Sequence, residues 1–257
     1  VARRVTVIDR EREQGKPLLV LDAGNSLIGD QDPARKTLGE TSVTVMNMMG
    51  YDAMGLGPTD LALGLAALRE RMDKAQFAVL SANAVESATG ELVAEPYLLR
   101  QFDNHTIAIV AVSGSSAKGS DTNQESETPE ITVRDPFETA RTLVPQLMPQ
   151  ADVIVLLSTA GQDIDQQIAE GIPGVDLIIG GDAYRLTTPW RAGETGTLIL
   201  HADDAYPGHA GRRVGIAHLA FDKGGQLVAD RWQRLNLGPE IATDADMASW
   251  VQEQTMR

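Results

Sequence analysis

The sequence predicts a mixed α/β protein with helices on the outer faces and substantial sheet-on-sheet packing. Two observations carry this expectation. From residue 17 to about 180, short apolar runs alternate with helical patterns, the arrangement of strands covered by helices. Beyond residue 197 the chain turns to short alternating runs, TLILHA and then RRVGIAHLAFD, separated by glycine-rich turns that suggest antiparallel hairpins. No stretch has the composition of a linker apart from residues 113–130, so a single domain is expected over residues 1–257.

Each element has a local reason. Val1, Val5, Ile8 and Arg12 fall near one helical face of residues 1–14, which stop at Gly15 before Pro17. Pro17 to Leu21 is a continuous apolar strand ending on Asp22-Ala23-Gly24-Asn25. In ETSVTVMNMM, residues 40–49, Val43, Met46 and Met49 recur at helical spacing despite β-branched neighbours. Tyr51 to Leu56 is the next strand, and GLGPTD follows at 55–60. LALGLAALRERMDK then reads as one amphipathic helix with Leu61, Leu65, Leu68 and Met72 as its stripe.

Phe77 to Leu80 is a strand ending at Ser81-Ala82-Asn83, and residues 97–112 form two strands around Asp103-Asn104. Residues 113–130, SGSSAKGSDTNQESETPE, are polar and small, the clearest loop in the chain. A helix at 136–147, a strand from Ala151 to Leu157 and the loop STAG entering a helix come next. Val175 to Ile179 is a strand delivered onto Gly180-Gly181-Asp182, and MASWVQEQTMR closes the chain as a short amphipathic tail.

A formal charge of −14 argues against a nucleic-acid backbone and against anionic membrane surfaces as partners. The basic residues gather modestly at Arg3, Arg4, Arg10 and Arg12 and at Arg212 and Arg213, a pattern that solvated faces also give. No run approaches the roughly 18 apolar residues of a membrane span. Without cysteine there is no disulfide, thiolate nucleophile or sulfur-ligated metal.

Ligands of α/β proteins collect at the carboxyl ends of strands. Four such ends can be compared: Asp22 to Asn25, Gly57 to Asp60, Ser158 to Gly161, and Gly180 to Tyr184. All have small residues that permit close backbone approach. Their firm carboxylates are Asp60 and Asp182, and they contain no imidazole. His105, His201, His209 and His218 lie elsewhere and read as structural. Asp60 also stands where it could cap the following helix.

The succession LLVLDAG, MNMMGYDAMGLG, FAVLSAN, EPYLL, IAIVAVSG, DPFETARTLVPQL, ADVIVLLS-AG and GVDLIIGG resembles the catalytic domain of the secreted 5′-nucleotidase family of calcineurin-like metallophosphoesterases. The resemblance implies a four-layer α/β/β/α sandwich and an extracytoplasmic location. It also implies an N-terminal strand with an Asp-x-His element ahead of ARRVTVIDR, and a C-terminal nucleoside-specificity domain without a counterpart in this chain. Family members hold two divalent ions with Asp, Asn and His ligands.

Carried over by position, the bridging aspartate falls on Asn25 and the Gly-Asn-His-Glu loop on Gly57, Pro58, Thr59 and Asp60. The Ser-His-x-Gly histidine falls on Thr159, and the Gly-Gly-His-x-His pair on Asp182 and Tyr184. The ligand positions are altered while the framework is kept. The expectation is a catalytically inactive, metallophosphoesterase-like domain that binds an unknown small ligand or protein partner. The 113–130 loop and the vacated cleft are its candidate surfaces. No cofactor is expected; a single Mg, Ca or Mn ion on Asn25, Asp60 and Asp182 is the alternative. The competing functions are a phosphoester hydrolase with a rearranged or single-metal site, and a structural scaffold in an extracytoplasmic assembly.

Overall fold

A computed structural model describes residues 1–28, 32–102, 104–114, 129–182, 185–186, 188–203 and 211–255. In chain order it begins α1 (Ala2–Arg12), β1 (Leu21–Asp22), α2 (Asp32–Lys36), α3 (Glu40–Met49), β2 (Ala53–Gly55), α4 (Pro58–Leu61), α5 (Leu65–Lys74) and β3 (Ala78–Leu80). Next come β4 (Ala84–Glu86), β5 (Tyr97–Phe102), β6 (His105–Val112), β7 (Ile131–Val133), α6 (Pro136–Leu147), β8 (Val153–Ser158), α7 (Gln162–Gly171) and β9 (Leu177–Gly180). The chain closes with β10 (Trp190–Arg191), β11 (Leu198–His201), β12 (Arg213–Phe221), β13 (Leu227–Asn236) and α8 (Ala245–Thr255).

These elements stack as the expected α/β/β/α sandwich. One sheet is parallel, in the order β1-β2-β3. The other runs β10-β11-β9-β8-β6-β5, parallel in its four central strands and antiparallel at both edges. The two-residue period of a strand sends alternate side chains to opposite faces. Ala108, Val110 and Val112 of β6 and Ile154 and Leu156 of β8 therefore pack on Ala140, Val144 and Leu147 of α6 and Ile168 of α7. Ile109, Ala111, Val153, Val155 and Leu157 point the other way and meet Ala53 and Leu80 of the three-stranded sheet. That sheet's outer face, Met54 with Leu56 beyond it, is covered by Val43 and Met46 of α3 and Leu68 of α5. Ile8, Met49 and Met247 join α1, α3 and α8.

Several local expectations are corrected. The helix expected over 61–74 is two helices, α4 and α5, separated at Gly64, whose φ of +78° an L side chain rarely adopts. The bend lets the Leu65 N–H donate to Glu130 Oε2 at 3.0 Å. Of the strands expected over 17–21 and 51–56, only Leu21–Asp22 and Ala53–Gly55 are paired as strand. TLILHA does form an antiparallel hairpin arm, with β10, but on its other side β11 lies parallel to β9 in the six-stranded sheet, and all four of its residues are buried. A continuous apolar run is the mark of such a doubly covered strand. RRVGIAHLAFD does form the expected antiparallel hairpin, β12 with β13. Residues 115–128 of the polar loop lie outside the described residues. Among those described, no helix is long and apolar enough to cross a membrane.

Leu156 is fully buried between the six-stranded sheet and its helices. Leu156→Ala should lower unfolding free energy by about 2–5 kcal/mol in urea denaturation. Val228→Ala, at a position 63% exposed, should stay within about 0.5 kcal/mol.

Candidate functional site

The carboxyl ends of β1, β2, β8 and β9 meet at one rim. A Cβ on Gly24 would stand 2.8 Å from Thr159 Cγ2 and 3.0 Å from the Gly57 nitrogen. One on Gly181 would stand 2.7 Å from Ala23 Cβ. The four loops compared in the sequence are thus brought together, and only glycine permits the approach. Asp182 is half-buried in the last of them, and Tyr184 lies outside the described residues.

Asp60 organises the rim. It is fully buried, at the third position of α4 behind Pro58. Its Oδ2 accepts from the N–H groups of Asn25 (2.7 Å) and Gly57 (2.9 Å), and its Oδ1 from that of Leu27 (2.9 Å). One carboxylate therefore fastens the loop after β1 to the start of α4. Burial pushes its carboxyl up to about 7, against the lowering pull of the N–H donors.

Asn25 holds the reciprocal bond. Its backbone is left-handed, with φ of 63°, a conformation Asn tolerates. Its Oδ1 accepts from the Thr59 N–H at 3.0 Å and the Thr59 hydroxyl at 2.9 Å. A Cβ on Gly57 would fall 2.2 Å from that Oδ1, so residue 57 must be glycine for the bond to form. Thr159 is buried, and its Oγ1 accepts from the Gly114 N–H at 3.0 Å.

The donor chemistry follows from these bonds. An amide oxygen has two lone pairs, and Thr59 takes both on Asn25. Asp60 directs both oxygens at backbone N–H groups within its own loops, and Pro58 has no side-chain donor. Among the described residues, no group of three His, Asp or Glu is placed to hold a metal ion. These side chains do not fit a pair of divalent ions.

The sequence did not mark Ser113 or Asp165 as rim residues, and it marked Ser158 only as the head of a strand-end loop. Ser158 Oγ donates to the buried Asp165 Oδ1 at 2.5 Å and accepts from the Ala160 N–H at 3.1 Å. Ser113 donates its hydroxyl to the Leu56 carbonyl at 2.7 Å and shares a 2.8 Å bond with Ser81. Asn83 accepts from the Ser113 N–H at 2.7 Å and donates to the carbonyls of Ser113 and Arg134, both at 2.8 Å. Ser81 and Asn83 hold backbone. Arg4 stands by Tyr51, its Nη1 3.4 Å from the phenol oxygen, and the charges of Tyr51 and then Asp22 strengthen its hold on its proton. Isolated polar residues inside apolar runs are the signal that marks Ser113 and Ser158.

The histidines are scattered. His201 is buried at the end of β11, in register with Gly180 and so at the rim. His105 Nδ1 lies 4.0 Å from Asp152, and His218 Nε2 lies 3.7 Å from Glu11. His209 lies outside the described residues.

Known proteins place this architecture. The chain is 27% identical to the trifunctional nucleotide phosphoesterase YfkN of Bacillus subtilis, over 90% of this chain and 18% of that protein. It is 28% identical to a snake venom 5′-nucleotidase of Gloydius brevicauda, over 100% of this chain and 46% of the relative. A solved 5′-nucleotidase precursor of Thermus thermophilus superposes with a TM-score of 0.83 and 26% identity, over 99% of this chain and 52% of that one. In sequence and fold, this chain matches the calcineurin-like metallophosphoesterase and 5′-nucleotidase superfamily. No family model matches it. The chain spans 18% and 46% of the two relatives' lengths, so it corresponds to a portion of each.

Within this metallophosphoesterase framework, Asp60→Ala strands three backbone N–H groups. It should cost on the order of 3 kcal/mol in urea denaturation. A raised carboxyl pKa also fixes a pH dependence. Below about pH 4 the Asp60 carboxyl is protonated in both folded and unfolded chains. Above about 7 it is ionised in both, and the cost of burying the charge is fully expressed. Its contribution to stability therefore falls as pH rises between those limits. Asp60→Asn should flatten that part of the profile, leaving the share of Asp176, which burial raises to about 6.

Proposed function

We propose that this chain is a metallophosphoesterase-like domain without phosphoester-cleaving activity, whose rim binds a small ligand or a protein partner. One observation carries the reading: Asn25 and Asp60, two of the positions matched to the family's metal loops, are satisfied by hydrogen bonds within the rim. Asn25, where the family has a bridging aspartate, is neutral, and its oxygen accepts from Thr59 twice. Two-ion phosphoryl transfer needs a shared anionic ligand to hold two dications close together. Pro58 supplies no oxygen from its side chain.

The proton chemistry points the same way. Thr59 stands where the family has a histidine, and a hydroxyl has no basicity near neutral pH. Losing one transition-state donor typically costs about 10²- to 10³-fold in rate. Losing the ions as well removes the nucleophile they would generate. Asn25, Asp60 and Asp182 are the residual oxygen donors for a lone Mg, Ca or Mn ion. Seating an ion on Asn25 would require breaking its bonds to Thr59. An extracytoplasmic location accords with the venom origin of the Gloydius relative.

Metal analysis after chelator-free purification tests this, paired with phosphomonoester and phosphodiester assays in Mn²⁺. Less than one ion per chain and no turnover above the metal-only blank is expected. Two ions per chain with metal-dependent turnover would overturn the reading in favour of a hydrolase.

A further inference from the structure

We propose that β5, an edge of the six-stranded sheet, is a self-association strand. A second copy of this chain pairs with it antiparallel about a two-fold axis at Leu99, so that the two sheets become continuous. The inference rests on the sheet alone and is independent of what the rim binds.

The two edges of this sheet are built differently. β10 has two residues, and its Arg191 pairs with Asp230 of the β12–β13 hairpin. β5 has six residues and, among the described residues, pairs with β6 alone. Its register with β6 runs from Tyr97 to Phe102 without a bulge, and it contains no proline, lysine or carboxylate. Edge strands are usually blunted by such features, and a long regular edge without them is a template for another strand. Leu99, Arg100 and Gln101 are all exposed, the apolar Leu99 to 38%.

The free backbone groups follow from the far side of β6. There the Thr106 N–H donates to Asp152 Oδ2 at 2.7 Å, and its carbonyl accepts from the Asp152 N–H at 2.8 Å. Thr106 thus turns both groups away from Gln101, its partner on β5. Opposed residues of an antiparallel pair alternate between bonded and unbonded. Leu98, Arg100 and Phe102 are therefore bonded to β6, whereas Tyr97, Leu99 and Gln101 turn their N–H and C=O groups outward.

This spacing and one charge choose the register. Setting Leu99 opposite Leu99 of the second copy also sets Tyr97 opposite Gln101, so every outward residue of both strands is paired. Arg100 then faces Leu98. Sliding the copies to set Leu99 opposite Gln101 brings Arg100 directly against Arg100, and like charges so placed are destabilising. Sliding the other way, to Leu99 opposite Tyr97, leaves Gln101 beyond the end of the strand. Tyr97 packs on the helix-covered face of the sheet and Leu98 on the other, so strand alternation puts both copies of Leu99 on the helix side. A contact about a two-fold axis needs a surface that complements itself, and this strand does. A chain of charge −14 repels its own copies, but Tyr97–Phe102 carries no carboxylate, so repulsion at the point of approach is small.

Sedimentation velocity and hydrogen exchange on residues 1–257 test the proposal. The chain should show a monomer–dimer equilibrium that strengthens with salt, because screening weakens the repulsion between copies. The Leu99 and Gln101 amides should exchange more slowly as concentration rises, while Leu98 and Arg100 are slow throughout. Leu99→Lys and Leu99→Glu each put like charges on the axis in place of leucine and should weaken the dimer about tenfold. An equal mixture of the two variants should regain association, since opposite charges then meet. Both change an exposed side chain and should keep the parent's Tm. A chain that stays monomeric, protection that does not alternate along β5, or a dimer indifferent to both variants would overturn the proposal. So would a mixture that associates no better than either variant alone.

Discussion

Everything at the rim depends on one buried carboxylate facing inward. Asp60 accepts from the backbone of Asn25, Leu27 and Gly57 at once, so two loops from different strands fold around a single side chain. Turned outward, the same carboxylate would offer its oxygens to a cation. Turned inward, it replaces solvent for three backbone donors, and such donors are costly to bury unpaired. Asn25 is held in the same frame, its side-chain oxygen accepting twice from Thr59.

The frame is supported from beneath by a second polar group of bonds. Ser81, Asn83 and Ser113 tie the end of β3 to the end of β6, which are in different sheets. With Ser113 also bonded to the Leu56 carbonyl, the rim loops rest on a fully satisfied buried network. One apolar layer sets the sheet separation, two more seat the helices outside it, and the glycines at 24, 57 and 181 allow the loops to touch.

Much of this was legible in the sequence, for identifiable reasons. Helix α6 begins and ends where expected because Asp135 caps it through the Glu138 N–H and Pro136 occupies its first turn. The four strand ends were recognisable because glycine follows each apolar run within a few residues. What escaped detection depends on long-range contacts. Gly64 breaks a convincing helical stripe because Glu130, far along the chain, accepts from Leu65. TLILHA alternates little, yet only the placement of β9 shows that it joins the main sheet. Strands of two or three residues such as β4, β7 and β10 are too short to carry a period. Pro58 with Asp60 did carry a signal for a helix start, but the sequence has no means of showing that the carboxylate bonds two loops.

The central claim is that Asn25 and Asp60 have no oxygen to give a dication, and manganese can report on it directly. In an NMR titration, Mn²⁺ broadens signals near any site where it binds. The account predicts that the Asn25, Gly57 and Thr59 amides broaden no more than surface amides up to millimolar Mn²⁺. Selective, saturable broadening of those three signals would contradict it.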